Sequence, residues 1–165
     1  MSAGRVARYA LLIALALVLS YVELLVPLSV AVPGVKLGLP NLVIVFALYR
    51  LGARDAWIIS LVRVVLVSVM FSNAFAMMYS ICGTVLSLTL MRLLIKTGRF
   101  STVGVSVAGG VAHNIGQILC AMLLLSTSRI AYYLPVLLVS GTLAGVLIGI
   151  ASGLLVERVK TDPQR

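Results

Sequence analysis

The chain has 165 residues, 62% of them hydrophobic and only 10% charged, with a mean hydropathy of +1.19. So little polar surface excludes a water-soluble globular domain of this length. The net charge of +9 does not point to nucleic acid, because the basic residues sit between apolar runs and form no patch with interleaved aromatics.

The amino end, "GRVARYALLIALALVLSYVELLVP", has the basic start and apolar run of a signal peptide. The run is too long for the apolar region of such a peptide, and "ALA" at residues 14–16 falls in its middle, so an uncleaved first helix over about 9–26 is expected. "VPGVKLGLPN", residues 32–41, is the least helical stretch of the chain. Pro33-Gly34 favours a turn, while Gly38 and Pro40 delay helix until a second, shorter one begins. That second helix is predicted over about 40–51, ended by "RLGARD". Four more follow at about 55–71, 74–95, 103–125 and 134–156, with "TGRFS" a turn between the fourth and fifth. With no linker, low-complexity tract or solenoid repeat, residues 1–165 read as a single integral membrane domain. The fold class expected is all-α, a polytopic six-helix transmembrane bundle.

Threading six helices sorts the cations. Arg5, Arg8, Arg50, Arg54 and Arg92 fall on one side, with Lys96, Arg99, Arg158, Lys160 and Arg165. The other side keeps Lys36 and Arg129, and Arg63 lies within the third helix. The positive-inside rule then puts both termini in the cytoplasm of a cell whose plasma membrane the chain crosses. Five or seven helices would scatter the cations over both faces.

Polar residues at depth come next. A cation near mid-membrane, as at Arg63, costs at least ~2.5–3.5 kcal/mol unless it faces protein or water. It can hold a ligand's anionic or polar group, or pair structurally with Glu23. In the fifth helix, "GGVAHNIGQ" places His113, Asn114 and Gln117 on one broad face, either as a binding wall or as interhelical contacts. Asn41 and Asn73 are expected at the outer ends of the second and third helices. Together with Glu23 and Lys36 they concentrate polarity in the non-cytoplasmic half, which suggests a pocket open to the outside. Tyr79, Tyr132 and Tyr133 fit an interfacial aromatic belt.

Gly141, Gly145, Gly149 and Gly153 repeat every four residues along the sixth helix, a stripe for close packing. Ala10 and Ala14 form a small-residue pair on the first helix. Cys82 and Cys120 sit inside apolar runs with no disulfide or metal spacing, and a lone His113 completes no metal set. No cofactor is expected.

The combination "PGVKLGLPN", an arginine in the third helix and "HNIGQ" in the fifth resembles the Gx transporter family, also labelled heptaprenyl diphosphate synthase component I. The resemblance spans about residues 9–157. That family looks related to the substrate-binding S components of energy-coupling factor transporters, six-helix vitamin-capture proteins with an outward pocket capped by the first outer loop. It implies a site at Lys36, Asn41, Arg63, His113, Asn114 and Gln117. It also implies docking of a transmembrane coupling subunit, itself tied to ATPases, on the first helix, where Ala10 and Ala14 stand.

The synthase label is chemically unsupported for this chain alone. Prenyl transfer uses aspartate-rich motifs to hold magnesium, whereas only Asp55 and Asp162 are present, expected at the cytoplasmic surface and far apart. No Walker A sequence occurs either. The expected function is therefore non-enzymatic capture of a small polar or anionic molecule for an importer. A non-catalytic synthase subunit and a stand-alone carrier are the alternatives.

Overall fold

In the computed structural model, residues 3–26 and 35–159 are described. The Pro33-Gly34 turn, the charges of Lys160 and Arg165, and Asp162 lie outside the described residues. Among the described residues, six α-helices follow in order: α1 Ala3–Leu25, α2 Asn41–Arg50, α3 Ala53–Phe71, α4 Ala74–Thr97, α5 Thr102–Leu124 and α6 Leu134–Arg158. No strand occurs among the described residues. The fold is all-α.

Local chemistry sets the helix ends. Asn73 caps α4, its Oδ1 accepting the Ala76 N–H at 2.9 Å, and Ser101 caps α5, its Oγ accepting from Gly104 at 3.2 Å. Gly98 closes α4 in the left-handed region at φ 65°, where a β-carbon is strained. Pro135 stands at the start of α6, preceded by a 3-10 turn over Ser128–Tyr133. Tyr132 and Tyr133 are exposed in that turn, just ahead of the sixth helix.

Among the described residues, four segments are long and apolar enough to cross a membrane: α1, α4, α5 and Ser128–Arg158, which contains α6. The 19-residue α3 carries Arg54, Asp55 and Arg63, more charge than a purely apolar span. The exception in length is α2. Its 10 residues rise about 15 Å, half of the ~30 Å hydrocarbon core, because Gly38 and Pro40 postpone its start. Large apolar side chains such as Leu11, Val69, Leu123 and Leu143 face outward. In water such a surface would aggregate, and in a bilayer it is the solvated face.

Helices α2 through α6 close a ring in which α2 touches both α3 and α6, while α1 packs on α3 and α2. At the end bearing both termini the ring is filled. Ile44, Val45, Leu48, Ile59, Leu88, Met91 and Val105 form a continuous apolar core there. Asp55 is at this end but buried, accepting a 2.7 Å hydrogen bond from Tyr9 Oη, which corrects the expectation of a surface carboxylate. A buried carboxylate needs such a partner. Arg50 Nη2 donates to the Val156 carbonyl, joining α2 to α6. The glycine stripe of α6 faces α5, so its use is internal: β-carbons at Gly145 and Gly149 would lie 2.6 Å from the Cα atoms of Val107 and Val103.

Candidate functional site

Toward the opposite end the ring is hollow. A partly open cavity of about 130 Å³ is lined by residues from all six helices and the segment before α2. Below it, between α2, α4, α5 and α6, a smaller void of about 30 Å³ shares Gly38, Asn41, Gly110 and Ala144 with the first.

The structure brings seven of the eight sequence-selected polar residues to the larger cavity. Arg63, from the middle of α3, lies in its wall, and its Nε is buried with no hydrogen-bond partner among the described residues. An unsatisfied charged donor of this kind is costly unless a ligand or water completes it. Glu23, near the end of α1, does not satisfy that nitrogen. Its carboxylate accepts the backbone N–H of Gly38 at 2.5 Å, tying α1 to the segment before α2. Lys36 and Asn41 line the same space, as do His113, Asn114 and Gln117 on α5. Asn73 does not: its side chain is spent on the α4 cap, where a first-turn N–H required an acceptor.

Protein crowded around the Lys36 ammonium strips it of water and holds its pKa below the ordinary lysine value. The Glu23 carboxylate opposes that shift, and the Arg63 guanidinium adds to it. The residue itself keeps solvent access. Asn114 has a double task, since its Nδ2 donates to the Leu137 carbonyl of α6 at 2.5 Å while the residue forms part of the wall.

Two glycines that sequence reasoning did not place in the site make room for it. A β-carbon on Gly83 of α4 would come within 3.0 Å of His113 Cε1, and one on Gly141 within 2.6 Å of Asn114 Nδ2. The only signal for Gly141 was its place in the α6 stripe, and Gly83 had none. Ser20, Ser68 and Ser80 also line the cavity and were not selected. Gly38 also lines the cavity. Its φ of 74° lies in the left-handed region, so Gly38→Ala should cost about 1–2 kcal/mol and loosen the Glu23 tie. A thermal melt showing full wild-type stability would contradict this.

Among the described residues no group of three or more His, Cys, Asp or Glu side chains could hold a metal ion. Cys82 is exposed and Cys120 buried, both as free thiols. Ala10 and Ala14 are exposed on α1, away from the cavity. The cavity wall presents cationic and amide side chains, and among its described residues there is no pair of carboxylates for acid–base work.

No curated protein and no solved structure matches the chain. The family described as heptaprenyl diphosphate synthase component I matches residues 12–155, which includes every residue of the cavity wall. The protein is a membrane protein of that family, the Gx transporter family.

Proposed function

We propose that this chain is the substrate-binding membrane component of an energy-coupling-factor-like importer, capturing a small polar or anionic molecule in an outward-facing pocket. The observation that carries the reading is the buried Arg63 Nε, unpartnered among the described residues, in the wall of a cavity opposite the termini. Lys36, Asn41, His113, Asn114, Gln117 and Glu23 complete the binding site. The whole chain, 1–165, acts as one integral membrane domain. The distribution of cations supports a plasma-membrane location with both termini cytoplasmic, since the terminal end carries Arg5, Arg8, Arg54, Arg92, Lys96, Arg99 and Arg158. Exposed Ala10 and Ala14 on α1 suit close approach of a coupling-subunit helix. The chain brings no nucleotide-binding motif, so partner ATPases supply the energy.

A second reading, a non-catalytic subunit of a heptaprenyl diphosphate synthase, draws on the family's description. A cavity near 130 Å³ is close to the ~150 Å³ that accepts benzene, far too small to enclose a long prenyl chain. Purification from native membranes in mild detergent, followed by native mass spectrometry, tests both. A coupling subunit with ATPases, and a bound small molecule, are expected. Association with a soluble aspartate-rich synthase would overturn the importer reading, and uptake by the chain alone in proteoliposomes would replace it with a stand-alone carrier.

A further inference from the structure

The ionisable residues of the cavity wall are Glu23, Lys36, Arg63 and His113. Counted formally at pH 7 with the imidazole uncharged, two cations stand against one carboxylate, which leaves a single positive charge. Residues 27–34, "PLSVAVPG", bear no ionisable side chain, and the smaller void adds none. An excess charge in a wall that buries the Arg63 Nε is compensated most fully by a ligand of equal and opposite charge, because a second negative charge would lack a cation of its own. Volume gives the other constraint. The larger cavity resembles in size one that holds a benzene ring, and the void beneath it, at about 30 Å³, has space for about two waters or one short substituent.

From these we infer that the ligand is a compact organic monoanion, seated on Arg63 with Lys36, and that Glu23 sets the charge state the cavity accepts. The inference rests on the binding reading above and narrows it. The planar guanidinium offers parallel donors that match a carboxylate, with Lys36 as a mobile second cation. Glu23 keeps its carboxylate at the wall through the Gly38 N–H, where it repels a second negative group. Its glutamine analogue retains an oxygen acceptor for that N–H while removing the charge. Di- and polyphosphates, the anions of prenyl chemistry, are disfavoured by the same balance.

The test uses full-length protein in detergent with benzoate, benzamide, phthalate and pyrophosphate as probes, read by isothermal titration. Benzoate and benzamide share shape and differ in charge, whereas phthalate adds a second carboxylate. Wild type should bind benzoate about tenfold or more tighter than benzamide, and tighter than phthalate or pyrophosphate. Lys36→Gln should narrow the benzoate–benzamide gap. Glu23→Gln should raise phthalate affinity about tenfold relative to benzoate, a gain that misfolding cannot imitate.

Equal binding of benzoate and benzamide would overturn the inference, as would wild-type preference for either multivalent anion, or no binding of any probe at millimolar concentration. An unchanged phthalate-to-benzoate ratio in a folded Glu23→Gln protein would overturn the role of Glu23. Charge selection can hold even if no coupling subunit is ever found, and it can fail while the coupling subunit is found. The two readings therefore fall separately.

Discussion

Replacing Arg63 with alanine is expected to weaken benzoate binding by about tenfold to a hundredfold while the protein still folds and inserts. Both figures follow from losing one charge-assisted hydrogen bond, about 1.5–3 kcal/mol. Stability without ligand should move in the opposite direction. Burying a guanidinium donor without a hydrogen-bond partner is costly, and the Arg63 Nε has none among the described residues. The ligand-free variant should therefore melt at or above the wild-type temperature. Opposite signs separate a binding residue from a structural one, because a structural arginine would lower both. Arg63→Lys keeps the charge but loses the planar fork, so it should recover only part of the affinity. Unchanged affinity in Arg63→Ala would remove the residue from the site.

The second large effect concerns the helix pair that walls the cavity. Gly145→Leu should destabilise the fold by about 1–3 kcal/mol or more, as overpacking of a close contact does. Its β-carbon would sit 2.6 Å from Val107 Cα and 3.0 Å from Val107 N, both backbone atoms that cannot rotate away. The α5–α6 pair would separate, and Asn114 would lose its Leu137 partner. Gly153→Leu, in the same stripe, is the control. Its β-carbon would meet nothing closer than Thr102 Cβ at 3.8 Å, so a smaller loss than at Gly145 is expected. Thermal melts of the two variants decide the matter, and equal losses would show that the spacing of the stripe, not its contact with α5, is what counts.

The helices, the end that gathers the cations and the half that gathers polar residues were all readable from residue order. The reason is that depth in a bilayer is nearly one-dimensional. A residue's distance along its helix sets its height, and height sets the cost of turning a polar group toward lipid. Arg63 and the "HNIGQ" face were legible because polarity at that height is expensive unless it faces protein or water.

Lateral order was not legible, since hydropathy assigns no neighbours. Nothing in the residue types paired Glu23 with the Gly38 backbone in place of Arg63, buried Asp55 against Tyr9, or withdrew Asn73 to cap α4. Gly83 and Gly141 bear on the site because His113 and Asn114 pack into the volume their missing side chains leave. Composition and periodicity thus determined the bilayer, the helices and the level of the polar layer. Which side chains share one cavity, and the charge they leave uncompensated in it, was decided by close packing in three dimensions, where steric fit between specific helix faces selects a single arrangement.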